Sequence, residues 1–570
     1  MVSKTPFWQN CAVLIDGIAG LDGRAAGVVV VGSGPVGLAL ATDLSRRGMN
    51  VLLLESGGDA PDTVVQSLSA AELQVPERHD DMSVAVARRL GGSSNLWGGR
   101  CVPYDPIDFA DRPVVGARWP IGYDVVAPYI GRAVAATRSG APVFEATAQL
   151  APEADDAFSP DALERWVNIQ AAQNVHRKVI AEDPRLEVRT RTTAVGLNFH
   201  EDGRVESIDV AHSHSGERAR VAVERLVIAG GGLETTRLLL NAQRSAPGRF
   251  GGADGPLGRY YMGHVIGEIA DIVFASSTVA REFDFLVDSH GSYVRRRIVP
   301  SAETQLSHGL LNSAFWPVVP PVADPRHGSA ILSLVYLALS YGPVGRMVVA
   351  EAIRRRHIPE GPARRLRHFV NLATGAPSAL AFSANFLRRR HDKSVRLPGF
   401  FVLNKANRYG LSFHAEHAPD PESRVKLSAK LDRLGLPSLA IDLRFGEKDI
   451  SSLVATHDLL EDWLGRNGLG HIEYRMPRER RGEAIMAQAA HGTHQIGLAR
   501  MAATPREGIV DGDLRCFGSP NLFLASSAVL PTSSQANPTL TTVALALRLA
   551  DKLAAESAPP AVGAAAGKHG

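Results

Sequence analysis

Gly32-Ser33-Gly34-Pro35-Val36-Gly37 is a G-x-G-x-x-G run, and Glu55 follows it after roughly 20 residues. Gly32 permits a tight turn, Gly34 lets backbone amides approach a pyrophosphate, and Gly37 lets a helix pack on a strand. Ser33 and Pro35 belong to the same turn, at the amino end of a helix, which is a ready anion site. Glu55 offers a carboxylate to both hydroxyls of an adenosine ribose, which fits FAD or NAD better than NADP. The alternative is a glycine-rich turn in an unrelated α/β domain. A second stretch, Gly91-Gly92-Ser93-Ser94-Asn95-Leu96-Trp97-Gly98-Gly99-Arg100, suits a backbone wrapped closely round a flat or phosphorylated ligand. A surface loop with Trp97 in the core is its alternative. Residues 411–417 alternate like a strand, so His414 and Glu416 share a face. They line a polar substrate pocket, or they belong to an ordinary solvent-facing strand. Cys11, Cys101 and Cys516 lie far apart and form no metal or redox motif, and no metal is expected.

These groups need elements to hold them. Residues 28–31 are a β-branched run typical of a strand buried on both faces. A helix then places Val36, Leu40 and Leu44 on one side and stops at Arg46-Arg47-Gly48, and residues 51–54 form the second strand. Residues 225–229 make another buried strand that enters Gly230-Gly231-Gly232 and a helix over 234–241, a second strand–glycine–helix unit beside the first. Strands are predicted over 186–191, 194–199 and 205–210. The segment 56–86 reads as a loop-rich excursion. A helix is predicted over 123–135, and another runs to Gln173 after a Pro/Ala-rich connection over 141–160. Near the end, 521–524 is a short strand, and Asn537 reads as the N-cap of a helix with Pro538 at its first position and Val543, Leu547 and Ala550 buried.

A chain of 570 residues is too long for one core. We expect an α/β fold in which a discontinuous nucleotide domain (25–125, 186–265 and 489–556) interleaves with an α+β substrate domain (126–185 and 266–488). A helical basic insert is expected over about 325–398, and a disordered tail over 557–570. A net charge of +3 favours no polyanion, and nothing in the sequence suggests nucleic acid. Arg354-Arg355-Arg356-His357, Arg364-Arg365-Leu366-Arg367-His368 and Arg388-Arg389-Arg390-His391 offer peripheral contact with an anionic membrane. The alternative is the solvated faces of an inserted helical subdomain. No run approaches the ~20 apolar residues of a membrane span, residues 1–27 do not read as a signal peptide, and a reducing, cytoplasmic compartment is expected.

With these residues in hand, the chain resembles the glucose–methanol–choline (GMC) oxidoreductases. The resemblance rests on GSGPVG with Glu55, GGSSNLWGGR, the AGGG turn at Ala229 and Gly230, Gly258 to His264, His494 to Met501, and Asn537-Pro538-Thr539. It looks nearest the branch of pyranose oxidases and sugar dehydrogenases. The resemblance implies FAD held by Gly32, Ser33, Gly34, Pro35, Gly37, Glu55, the Gly91–Gly98 loop, Val195, Ala229, Gly230, Ser526, Asn537, Pro538 and Thr539. It implies His494 as catalytic base and Asn537 as its partner; His491 is the rival base. Covalent members carry a histidine just before the tryptophan; here Leu96 stands there, so noncovalent FAD is expected. Leu498 stands where threonine is usual, and Ser526 where many members have an aspartate. The implied reaction oxidises a hydroxyl of a sugar, glycoside or polyol, with hydride passing to flavin N5 and electrons going to oxygen or a separate acceptor. A lipid or sterol alcohol, a non-oxidative FAD lyase or isomerase, and a non-catalytic scaffold are the alternatives.

Overall fold

The computed structural model describes residues 14–341, 345, 358, 365–391, 395 and 397–557. Its nucleotide half is built on an eight-stranded sheet in which Leu14–Asp16, Leu186–Thr190, Val51–Leu54, Arg24–Val31 and Arg218–Ile228 run side by side. These pairings are parallel. Arg218–Ile228 also receives Leu522–Leu524 in parallel, and its first half pairs antiparallel with Val205–His212. Val51–Leu54, Leu522–Leu524 and residues 28–31 at the centre of the parallel part are wholly apolar, as expected of strands covered on both faces. Val28, Val29, Val30, Leu52, Leu53, Leu226 and Val227 are buried. Helix Pro35–Arg46 follows strand Arg24–Val31, and helix Thr539–Ser557 packs against it.

The second half is an eight-stranded, largely antiparallel sheet, ordered Gly470–Tyr474, His264–Phe274, Arg408–Glu416, Ser313–Val318, Tyr293–Pro300, Phe158–Trp166 and Arg100–Cys101. Leu286–Val287 pairs with the fifth of these. Helix Glu447–Arg466 covers its outer side through Leu453, Leu460 and Trp463, which join Val265, Ile272, Phe315 and Phe413 in one core. A small third sheet joins Arg424–Leu431, Pro437–Asp442 and Ala71–Leu73.

Four expectations need correcting. Residues 158–166 form a strand, where a helix running to Gln173 was predicted; only Ala172–Val175 is helical there. Pairing with Tyr293–Pro300 and burial on both faces override the helical propensity of Ala162-Leu163-Glu164. Helix Tyr123–Thr137 packs on helices Pro35–Arg46 and Thr539–Ser557, so it belongs to the nucleotide half and not to the substrate domain. Arg100–Cys101 pairs with Phe158–Trp166 and so crosses into the second sheet. Within 56–86, Ala71–Leu73 is a strand because it finds an open edge beside Pro437–Asp442.

The insert contains helices Ala330–Ser340, Arg365–Thr374 and Ala376–His391. Arg354 to His357, Arg364 and the tail beyond Ser557 lie outside the described residues. Among the described residues no helix is long and apolar enough to cross a membrane.

Candidate active site

Between the two sheets lies a cluster of imidazoles. His264 opens its strand, and His414 lies on the neighbouring antiparallel strand, opposite Ile266. Their rings stack with centroids 4.1 Å apart. His494 meets His264 edge-on at 4.8 Å, and His491 lies 4.5 Å from His494. The segment bearing His494 is clamped on both sides. Ile496 and Met262 exchange backbone hydrogen bonds of 3.0 and 2.9 Å. The Gln495 Oε1 accepts from Leu233 N at 3.1 Å, and its Nε2 donates to Ala85 O at 3.2 Å.

The hydrogen bonds fix the tautomers. His264 Nε2 lies 3.2 Å from Ser533 O, and a carbonyl only accepts, so His264 Nε2 carries the proton and its Nδ1 is a bare acceptor. His494 Nδ1, 2.9 Å from that nitrogen, is therefore the donor. His494 Nε2 is left unprotonated, and its lone pair accepts from Asn537 Nδ2 at 3.0 Å. The same chain settles the amide: a flipped Asn537 would present an oxygen to an unprotonated nitrogen. The second N–H of Asn537 is unused, and Asn537 Oδ1 has no partner. Burial first, then the neighbouring imidazoles and Arg100, push His494 well below the ordinary imidazole range, and burial does the same to His264 and His414. A neutral imidazole with its Nε2 lone pair beside an amide N–H can take a proton from a hydroxyl whose oxygen the amide holds. His491 is committed elsewhere. Its Nδ1 accepts from His264 N at 2.9 Å, and its Nε2 lies 2.8 Å from Thr493 Oγ1. One nitrogen from each of His264, His491 and His494 lies within 4.8 Å of the others, a spacing that metal ligands share. Hydrogen bonds already occupy the lone pairs of His264 Nδ1 and His491 Nδ1.

Asn537 does not cap the final helix. The first helical residue is Thr539, the Pro538 carbonyl accepts from Thr542 N at 3.0 Å, and the Asn537 side chain turns to His494 instead. The loop before it is held by a buried polar network. Arg112 pairs bidentately with Glu416 at 2.8 Å for each bond. Asp108 accepts from Ser534 Oγ at 2.6 Å, and Asp105 accepts from Gln535 Nε2 at 2.9 Å. Burial, then Asp105, pushes the Asp108 carboxyl above the usual range. Gln535 O in turn accepts from His414 Nδ1. His414 and Glu416 are both buried, so the solvent-facing alternative is wrong. Glu416 spends both oxygens on Arg112 and one also on Asn312 N, which makes it a support of the 533–536 loop, while His414 faces the imidazole cluster.

The glycine turn is shaped for a cofactor. A Cβ at Gly37 would overlap Gly32 O, so only glycine allows the helix to start this close to the strand. Gly92, at φ +54°, sits with its would-be Cβ 2.9 Å from Gly34 Cα, which brings the Gly91–Gly98 loop directly onto the turn. A Cβ on Gly34 or Gly98 would meet nothing within 4 Å, so open space adjoins both. Glu55 accepts from Ser33 N at 3.0 Å, Ser33 Oγ at 2.6 Å and Gly57 N at 2.9 Å. It pins the turn and keeps lone-pair capacity in reserve. Ser94 donates to Gly91 O and Asn95 to Gly92 O at 2.8 Å, so these side chains, and Trp97 bonded to Gln170 O at 2.7 Å, shape their own loop. Ala229 N joins Val31 O at 2.7 Å, setting Gly230 beside the first turn. Ser526 Oγ is buried without a partner near the start of the short Ser527–Val529 helix. Val195 packs with Val65, Leu68, Ala211 and Leu434, away from the imidazoles. An open cradle on the glycine turn and an orphaned Ser526 hydroxyl fit a bound dinucleotide.

The sequence assigns no role to His264, Arg100 or Arg297, although His264 and Arg100 stand in its motifs; only the closing of the strand pair reveals that His264 backs His494.

Residues 419–546 match the GMC oxidoreductase family model, and residues 30–66 match an NAD(P)-binding Rossmann-like domain. Among curated proteins, paromamine 6'-oxidase of Streptomyces fradiae is 24% identical over 599 residues, covering 94% of this chain and 92% of that protein. The 2-methyl-1,2-propanediol dehydrogenase of Mycolicibacterium austroafricanum is 22% identical over 598 residues, covering 92% and 94%. Among solved structures, pyridoxine 4-oxidase from Mesorbium loti superposes with a TM-score of 0.52 at 17% identity, over 92% of this chain and 99% of that one. Residues 419–546 therefore carry a GMC oxidoreductase C-terminal domain, and the full-length relatives and the fold agree with the resemblance of the whole chain to that family.

Proposed function

We propose that the protein oxidises a hydroxyl group of a sugar, glycoside or polyol to the carbonyl, with noncovalently bound FAD and His494 as the base. The observation that carries this reading is the directed chain from Asn537 Nδ2 through His494 and His264 to Ser533 O, which leaves the lone pair of His494 Nε2 pointing at the amide. An alcohol entering there gives its proton to Nε2 while its oxygen accepts from Asn537 Nδ2, which orients the C–H bond and stabilises the developing alkoxide. His264 shares the imidazolium's new charge through its Nδ1 and keeps the ring from turning. FAD, when bound along the Gly32–Gly37 turn and the Gly91–Gly98 loop, supplies the hydride acceptor. Leu96, where covalent relatives carry histidine, supports a dissociable cofactor.

A cytoplasmic setting belongs to the same proposal, supported by the free, buried Cys101 and Cys516. Peripheral membrane contact draws support from exposed Leu366, Phe369, Leu380 and Leu387 beside Arg365, Arg367 and Arg388 on the insert. The test is spectroscopic. The purified protein should be yellow, release its flavin on acid precipitation, and bleach anaerobically with one member of a panel of sugars, glycosides and polyols. Readmitted air then separates oxygen from another acceptor by the speed of recovery. A protein that no alcohol bleaches would move the assignment to a non-oxidative flavoprotein, and one that cannot take up FAD would overturn it.

A further inference from the structure

Beside the imidazoles, the inner face of the second sheet carries more positive charge than its own carboxylates balance. Arg295 and Arg297 share one face of their strand, and Arg296 points to the other, where Asp161 neutralises it. On the inner face the nearest carboxylate is Glu164, fully buried and opposite Arg295 in register. Arg295 Nε donates to its Oε1 at 2.7 Å, and Arg100 forms an ion pair with its Oε2. The single negative charge of Glu164 is thus shared between two guanidinium groups. Arg297, 2% exposed, has no carboxylate in contact and bonds through Nη1 to Gln535 Oε1 at 2.7 Å; Asp105 is reached only through that amide. Arg100 Nη2 and Arg297 Nε are buried without hydrogen-bond partners.

These cations border the catalytic groups. The Arg100 and Arg295 guanidinium carbons lie 4.6 and 5.0 Å from the centroid of Trp316, and Trp316 lies 6.4 Å from His414. Gln535 joins the two groups, holding Arg297 by its side chain and His414 by its carbonyl.

We infer that Arg100 and Arg295, set against Trp316, together with Arg297 on the same strand face as Arg295, seat an anionic group of the alcohol substrate, a carboxylate or a phosphate. The inference rests on the reading of His494 and Asn537 as the site of alcohol oxidation and adds the substrate's charge class. Guanidinium forks suit both groups, because planar donors pair with carboxylate and phosphate oxygens. Burial, then Arg100, holds Arg297 down at about 10, as a site short of negative charge does. Neutral sugars would leave the unpaired donors unsatisfied, and an ammonium-bearing sugar would meet like charge.

The test uses the FAD-loaded His494→Gln variant, so that binding is read from the flavin absorbance without turnover. D-Glucuronate, D-glucose 6-phosphate, D-glucose, the neutral amide D-glucuronamide and D-glucosamine are titrated at low and high salt. One of the two anions should bind about tenfold or more tighter than glucose, with the two anions separating carboxylate from phosphate and glucosamine weakest. The preference should shrink with salt and collapse in Arg100→Gln, a half-buried position less demanding of the fold than Arg297. Glucuronate matching glucuronamide with glucose 6-phosphate no better than glucose, none of the five perturbing the flavin, or an anion preference that survives Arg100→Gln would each overturn the inference. Anion preference in a protein whose wild type no alcohol bleaches would refute the proposed reaction and leave the anion seat standing.

Discussion

Replacing Asn537 with aspartate tests the direction of the hydrogen-bond chain. Asn537 Nδ2 now donates to His494 Nε2 across 3.0 Å. A carboxylate in that place can only accept, so Nε2 must bind a proton while Nδ1–H still donates to His264. The ring becomes an imidazolium held against a negative charge. An opposite charge at such a distance raises a pKa by about 1–3 units, or ~1.4–4 kcal/mol in favour of the charged form. Burial holds the wild-type ring well below 6.5, so its lone pair is available throughout the neutral range. In Asn537→Asp the acid limb of the kcat/KM profile should therefore move to higher pH by about 1–3 units. Asn537→Ala should lower kcat by about 10²–10³ through loss of the alkoxide donor, and leave the acid limb in place. The ring's state can also be followed without a substrate, by NMR titration of histidine labelled in its ring nitrogens, with the His494 signal assigned by His494→Gln. An Asn537→Asp limb that coincides with the wild type, or moves to lower pH, would refute the tautomer assignment.

Other consequences follow from the same structure. His264→Phe removes the acceptor for His494 Nδ1–H, and an unsatisfied buried donor costs ~1–3 kcal/mol, so kcat should fall about tenfold or more with little change in KM; a variant with wild-type kcat would deny His264 its positioning role. Gly37→Ala drives a Cβ into Gly32 O and should destabilise the fold by ~1–3 kcal/mol while abolishing flavin retention, as read by thermal melting and bound absorbance. Glu416→Gln takes the bidentate carboxylate from the buried Arg112 and leaves it only the longer 3.5 Å contact with Asp108; it should cost ~3–5 kcal/mol in denaturant unfolding, with activity lost as the 533–536 loop loosens. His457, buried and held at about 4, remains neutral in the native state while the unfolded chain takes up a proton below ~6.5. Stability should thus decline as pH falls from there toward 4, by up to ~3 kcal/mol from this residue. His457→Phe should flatten that decline in urea melts taken across the window.

The sequence made the glycine turn legible because its chemistry is local. Strand, G-x-G-x-x-G, helix, second strand and Glu55 follow one another within 28 residues of chain, 28–55, and the structure keeps that order. Propensity failed at residues 158–166, where a helix-forming composition is held as a strand by a partner far along the chain, Tyr293–Pro300. The last helix was placed one residue early, since Asn537 has the type of a cap and a stronger use elsewhere. Glu416 was grouped with His414 by alternation alone; its bidentate partner Arg112 stands 304 residues off and no periodicity points to it. His264 and the three arginines escaped for the same reason. Their meaning lies in register across the second sheet, which brings Arg100, Glu164, Arg295 and Trp316 onto one face from four separate strands.

The most direct measurement is the anaerobic flavin spectrum of the FAD-loaded wild type and His494→Gln, mixed with the alcohol that bleaches the wild type. The account predicts rapid loss of the band near ~450 nm in the wild type and bleaching slowed by at least ~10²-fold in the variant, with bound flavin unchanged. Equal bleaching rates in the two proteins would contradict the central claim that His494 takes the hydroxyl proton.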